Sequence, residues 1–550
     1  AFMAPTEILT VQHYENAINL FKDTKFKIGL LTGKMTLKEK IGQMIGLAFA
    51  GGEYSKELAM QIEDIEAGLI IYFKDNCITP KQIFDLNKKI NSKAKIPPFI
   101  ALDQEGGMVA RVTTGVTQSP GAMAIRAGSS KEAAYKLAYN MGKELRHLGF
   151  NFNFAPEGDV NNNPKNPVIN VRSYSEDPQV VAEYMHEAVK GYTDALMMSS
   201  VKHFPGHGDN AVDSHIGLPV VDFDKERLEN VELVPFKKVI DEDLPGIMAS
   251  HVMYTSYDDV YPTTLSKKIV QGLLRDEMGF KGLVVTDSLT MKAVWGRFTI
   301  EEIVLNGFNS GCDILLLCGA RRISEQKEFA ETALRLAEEG KIPLEVIDAA
   351  VERILKYKAM FKVGEMAETF DEIKDDLEVK ERVEYAQNVA DKSITVIKDS
   401  KKVLPLKATD KTLIVFPVIK VVTLVENDDN TLNSLGDFMP FKVDKHYVSI
   451  DPTTLEQQQL IELAKNYDKV IYCSYNACFN ETQANLINSL EKEKLAVIAI
   501  RTPYDLNVLD VDTYLCSYEA SVQAFIALSK VLTNQITATG KVPVTLNKKQ

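Results

Sequence analysis

Three of the chain's eight histidines fall within a single stretch, Val201-Lys-His-Phe-Pro-Gly-His-Gly-Asp-Asn-Ala-Val-Asp-Ser-His215. His203, His207, Asp209, Asp213 and His215 all carry metal-ligating atoms. They lie, however, on a loop with no helical i, i+4 pair and no nearby cysteine, which disfavours a metal centre. A second reading is a proton-transfer dyad. Asp213 and His215 are two residues apart, so on an extended loop both side chains project from one side. A carboxylate on one imidazole nitrogen fixes the tautomer and makes the other nitrogen more basic, ready to pass a proton near neutral pH. The plain alternative is a solvated loop with His203 as a satisfied core histidine.

Three further stretches carry candidate groups. In Gly279-Phe-Lys-Gly-Leu-Val-Val-Thr-Asp-Ser-Leu-Thr-Met291, Asp287 falls where a strand-like run ends. There it serves either as a nucleophile at a strand mouth or as the N-cap of a following helix. In Ile100-Ala-Leu-Asp-Gln-Glu-Gly-Gly-Met-Val-Ala-Arg111, Asp103 ends an apolar run and Gly106-Gly107 lets backbone approach a ligand. Asp103 suits vicinal hydroxyls, or else caps a helix; Arg111 is a ligand donor or a solvated arginine. The stretch Asp159–Pro178 is long and irregular, and its Arg172 can donate to substrate oxygens.

These residues need elements to position them. Short apolar runs recur at Ile45–Ala50, Gly68–Phe73, Pro98–Asp103, Phe150–Ala155, Ser199–Phe204, Gly246–His251, Gly282–Asp287 and Asp313–Leu317, with helical patterns such as Lys131–Leu148 and Gln179–Ala195 between them. Thr36-Leu-Lys-Glu39 has capping-box spacing ahead of the first run. Continuous apolar runs are what buried parallel strands look like, and this alternation predicts an α/β fold with an N-terminal (β/α)8 TIM-type barrel. A large doubly wound sheet is the structural alternative. Lys202, His203 and Asp287 then sit at carboxyl ends of strands, where barrel enzymes place their sites. The expected organisation is a barrel over residues 1–365 with an N-terminal helical extension, a charged connector over 366–390, and a smaller α/β sandwich domain over 391–550. Strands of that last part are expected at Thr395–Lys398, Thr412–Pro417, Lys469–Tyr475, Leu495–Ile500, Tyr514–Tyr518 and Lys541–Leu546.

Composition narrows the partners. A formal charge of -13 argues against nucleic acid and anionic lipid, both of which need a basic face. No apolar run is long enough to span a bilayer. Six cysteines in 550 residues, with no framework spacing, read as reduced thiols. The first residues, Ala1-Phe2-Met3-Ala4-Pro5-Thr6-Glu7, lack a basic segment followed by an apolar one. A cytoplasmic protein is the expectation; a secreted or cell-surface form trimmed of its leader stays open.

Lys202-His-Phe-Pro-Gly-His-Gly208 with Asp213-Ser-His215 downstream, Asp103-Gln-Glu-Gly-Gly107, Arg172-Ser-Tyr-Ser-Glu-Asp-Pro178 and Val284-Val-Thr-Asp-Ser-Leu-Thr-Met291 together resemble, in content and order, glycoside hydrolase family 3 enzymes of the NagZ β-N-acetylglucosaminidase type. The resemblance covers roughly residues 36–365. It implies a retaining exo-β-N-acetylglucosaminidase that removes terminal β-linked GlcNAc, as from GlcNAc–MurNAc fragments in cell-wall recycling, through a covalent glycosyl-enzyme. It further implies Asp287 as nucleophile, His215 as acid/base and Asp213 as its partner. Asp103, Arg111, Arg172, Lys202 and His203 would grip the sugar, with no metal and no organic cofactor. A small carbohydrate is the implied partner. Phosphorolysis is the nearest rival, since some relatives with a histidine acid/base pass the sugar to phosphate; a β-glucosidase is the other. The C-terminal part resembles the second domain of two-domain, Gram-positive forms.

Overall fold

The computed structural model describes residues 35–210, 213–214, 217–242, 244–318, 323–418 and 433–546. Its first helix, Leu37–Gln43, is started by the capping box: Glu39 N donates to Thr36 Oγ1 at 3.2 Å and Thr36 N to Glu39 Oε2 at 2.6 Å. Eight parallel strands follow, β1 Ile45–Ala48, β2 Leu69–Tyr72, β3 Phe99–Leu102, β4 Phe152–Asn153, β5 Val201–Phe204, β6 Gly246–Ala249, β7 Leu283–Thr286 and β8 Leu315–Leu317. Every residue in them is buried, which is why most read as apolar runs and not as an alternation; β5, with Lys202 and His203 inside it, is the exception that carries charged site residues.

Two hydrogen-bonded sheets contain these strands. One has the order β8-β1-β2-β3-β4 and ends on Met198–Ser199, just ahead of β5; the other has the order β7-β6-β5. Bonds also run between the two sheets. Val285 bridges Ile314, with Thr286 N donating to Ile314 O at 3.0 Å, and Glu157 bridges Lys202. The helices Lys131–His147 and Pro178–Asp194 lie within a residue of their expected bounds and pack on each other. Asp177 caps the second by accepting from Gln179 N at 2.9 Å.

The charged stretch 366–390 runs into a helix, Lys380–Ser393. It is less solvated than its charge suggests, because Ala386 and Val389 join the N-terminal hydrophobic core. Beyond it lies a six-stranded sheet of β9 Thr395–Asp399, β10 Thr412–Val418, β11 Asp444–Ser449, β12 Lys469–Ser474, β13 Leu495–Ala499 and β14 Thr513–Cys516. The order is β9-β14-β13-β12-β10-β11, and only β9 runs antiparallel to its neighbour. Two hydrophobic clusters cover its two faces.

Two sequence expectations fail here. β11 was not foreseen, because it is an edge strand whose Lys445 and Tyr447 face solvent, so it shows no apolar run. Lys541–Leu546 forms no strand. Pro543 lacks the N–H a ladder needs, and the segment bonds to the N-terminal half instead: Lys541 N donates to Ala127 O at 2.9 Å and Ser175 Oγ to Pro543 O at 2.9 Å.

Candidate active site

The carboxyl ends of the N-terminal strands surround a cavity of about 500 Å³. Asp103, Arg111, Arg172, Lys202, His203 and Asp287 all line it, together with His207 and Ser214. Asp287 directly follows β7, and its carboxylate accepts from Ser288 N at 2.7 Å. No helix starts there: the next one is Ile300–Ser310, capped by Thr299. Asp103 likewise opens a hairpin, Gln104–Gly106 with Val109–Ala110, and not a helix. The capping alternative therefore lapses for both aspartates.

Opposite Asp287 stands a buried ionic lattice. Lys202, projecting from β5, donates to Asp103 Oδ1 at 2.8 Å and Glu105 Oε1 at 2.6 Å. Arg172 reaches the same Glu105 through Nε at 3.0 Å and NH2 at 2.8 Å, and Glu157 at 3.2 Å. Arg111 NH2 lies 3.5 Å from Asp103 Oδ2, with its guanidinium over the Phe73 ring; it is buried and not a surface arginine. Burial alone would push Glu105 towards its neutral acid, but Arg172 and Lys202 outweigh it and hold the carboxyl below the usual range. Lys202 is likewise held charged against burial by Asp103 and Glu105.

The two histidines at the cavity have opposite charge states. His203 Nδ1 lies 2.8 Å from Asp159 and 3.2 Å from Glu157. Burial disfavours its cation, yet those carboxylates raise it to about 10. Asp159 accepts from His203 Nδ1, His203 N and His207 N, and against burial it is held down at about 2. Glu157 is pushed up to about 7, first by burial and further by Glu105. His207 is lowered to about 4 by burial and by the neighbouring His203 charge. Its tautomer follows from its partners. Asn210 Nδ2 donates to His207 O at 2.8 Å and lies 2.9 Å from Nδ1, so Nδ1 accepts and Nε2–H donates to Ser214 Oγ at 3.2 Å. Ser214 O in turn accepts from Ala293 N at 3.2 Å, joining this loop to the segment after Asp287.

Of the dyad, Asp213 is buried but does not line the cavity, and Gly217 N donates to its carbonyl at 3.0 Å. His215, with the expected Asp213–His215 contact, lies outside the described residues. Sequence reasoning missed Glu105, Glu157, Asp159, His207 and Ser214 as site residues. A signal was present: Asp103/Glu105 and Glu157/Asp159 are both carboxylates two apart at strand ends, each pair gripping one residue of β5. Glu157, Asp159 and His203 hold ligand atoms within 4.8 Å of one another, as a metal would need. The His203 cation bonds to Asp159 and lies beside Glu157, offsetting the charge of both carboxylates.

His207 has a consequence for stability. Its folded pKa lies below the unfolded value, so between about 6.5 and 4 the unfolded chain binds more protons and stability falls as pH falls. The slope approaches about 1.4 kcal/mol per pH unit in the middle of that window. Melting temperatures from pH 7 to 4 should fall less steeply for His207→Gln than for the parent; equal slopes would refute the assignment.

A model described as the glycosyl hydrolase family 3 N-terminal domain matches residues 36–357. The chain belongs to glycosyl hydrolase family 3. Its family 3 sequence is 39% identical over 327 residues to beta-hexosaminidase A of Pseudoalteromonas piscicida, a match covering 55% of this chain and 55% of that protein. The chain thus spans about half the length of that relative. Among solved structures, a family 3 beta-N-acetylglucosaminidase from Paenibacillus sp. str. FPU-7 superposes with TM-score 0.87 at 36% identity, covering 93% of this chain and 99% of that one. A beta-glucoside phosphorylase shares the fold, with TM-score 0.80 at 21% identity and 99% and 98% coverage.

Proposed function

We propose that this chain is a retaining exo-β-N-acetylglucosaminidase that removes terminal β-linked GlcNAc, with GlcNAc–MurNAc fragments of the cell wall as its source and the cytoplasm as its place of action. The observation that carries the reading is that Asp287 shares one cavity with Asp103, Arg111, Arg172 and Lys202. A carboxylate thus faces a rigid set of donors and acceptors suited to sugar hydroxyls. The printed names of the hexosaminidase and acetylglucosaminidase relatives point the same way. We read the eight N-terminal strands as a (β/α)8 barrel within residues 1–365, joined through 366–390 to an α/β sandwich domain over 391–550. Bonds between β7 and β8 and between the strands around β5 support that closure.

In this reading Asp287 attacks the anomeric carbon while His215 protonates the leaving oxygen, and Asp213 holds the imidazole. Water then displaces Asp287 from the glycosyl-enzyme, giving its proton to His215 and returning the carboxylate. His203 is held charged and His207 neutral by their surroundings, which supports His215 as the group that moves the proton. Mass spectrometry of enzyme incubated with a 5-fluoro GlcNAc donor should find the adduct on the peptide containing Asp287. An adduct elsewhere sinks the assignment. Turnover in phosphate buffer distinguishes the acceptor: free GlcNAc supports hydrolysis, and GlcNAc-1-phosphate as main product overturns it.

A further inference from the structure

We infer that the C-terminal α/β unit clamps the sugar-gripping loops and that Arg501 is its positioning residue; the proposed function enters only in the choice of GlcNAc as probe. The parallel strands β12, β13 and β14 end in Tyr475-Asn476, Arg501–Tyr504 and Tyr518-Glu519. Open α/β sheets ordinarily take a ligand at such carboxyl ends. Here the place is filled by the loop that carries Arg172.

Several contacts hold that loop. Arg501 is fully buried, with NH1 donating to Asn476 Oδ1 at 2.9 Å and NH2 to Pro167 O at 3.4 Å. Tyr504 OH accepts from Asn161 Nδ2 at 3.2 Å. Val171, the residue before Arg172, belongs to the hydrophobic cluster of Tyr472, Tyr504 and Tyr518. On the hairpin after Asp103, Met108 packs against the cluster on the other face of the same sheet. The loop from 159 to 177 holds no regular structure beyond the turn Asn170–Arg172. Ordering such a segment costs conformational entropy that its own local bonds do not recover. The backbone flanking Arg172 is thus held from two sides, by Asn166 Nδ2 donating to His207 O and Gly208 O and by the C-terminal contacts of Pro167 and Val171, while Asp287 on β7 is positioned without the latter. Loosening the clamp weakens the grip on the sugar and leaves the reacting carboxylate in place.

The test uses full-length protein. In Arg501→Ala, KM for an aryl β-GlcNAc and Kd for GlcNAc by calorimetry should rise about tenfold, the worth of one to two buried hydrogen bonds. kcat should stay within about twofold, because the group attacking the sugar is untouched. Arg501→Lys, which keeps the charge but not the fork, should recover part of the loss. Val531→Ala, in the other core cluster of the same unit, gives a reference for destabilisation alone. Unchanged KM and Kd in Arg501→Ala, or changes matched by Val531→Ala at equal melting temperature, overturn the clamp. If Arg501→Ala fails to fold, Tyr504→Phe removes one hydroxyl and should still raise Kd, and an unchanged Kd overturns the proposal. Hydrogen exchange over residues 159–178 reads the clamp without a ligand. It should quicken in Arg501→Lys, and equal exchange refutes the inference even if GlcNAc proves to be the wrong sugar.

Discussion

Replacing Asp287 by Asn should lower kcat on an aryl β-GlcNAc by roughly three to five orders of magnitude, the usual loss when a covalent nucleophile is removed. The substitution keeps the size of the side chain and its acceptor oxygen for Ser288 N, so melting temperature should change little. KM should not rise, because Lys202 is held by Asp103 and Glu105, and Arg172 by Glu105 and Glu157, bonds that the substitution leaves in place. A small effect on kcat, or a loss of activity explained by unfolding, would sink the assignment. Azide offers a second readout. It should restore turnover in Asp287→Ala by attacking the anomeric carbon from the vacated side, releasing an α-glycosyl azide.

The second large effect is on stability. Lys202 is about as buried as a lysine can be, and it neutralises both Asp103 and Glu105. Lys202→Met leaves those carboxylates with only the arginines, and removing one partner from a buried charge set costs roughly 3–5 kcal/mol. Urea unfolding should show that loss. The double variant Lys202→Met, Glu105→Gln should regain part of it by removing the charge left behind. If the single variant unfolds at the parental urea concentration, the lattice is not the structural keystone described here.

How much was legible in the sequence follows from where each signal lives. Asp103, Lys202, His203 and Asp287 stand at ends of apolar runs, and a run and its end are local features. Arg172 stood out because its loop is long. By contrast, Glu105, Glu157 and Asp159 take their meaning from partners far along the chain: Lys202 follows Asp103 by 99 positions and His203 follows Asp159 by 44. Only the strand register brings them together. The charge states were equally hidden, since His203 and His207 are the same residue type four positions apart and differ in what surrounds them. Lys541–Leu546 is misleading because Val542, Val544 and Leu546 alternate as in a strand while Pro543 cannot donate to a ladder. β11 escaped because an edge strand has no need of apolar residues on its open side.

The sharing of one hydrophobic cluster between distant parts of the chain also bears on the order of synthesis. Met123, Ala124, Ala127 and Val171 pack with residues of β12, β13 and β14. On the ribosome the N-terminal strands emerge first, and at roughly 5–20 residues per second these four apolar side chains wait many seconds for their partners. During that interval the loop bearing Arg172 lacks its C-terminal contacts and the patch beneath it is bare. The nascent N-terminal half is thus left with a sticky face until β12, β13 and β14 arrive to cover it.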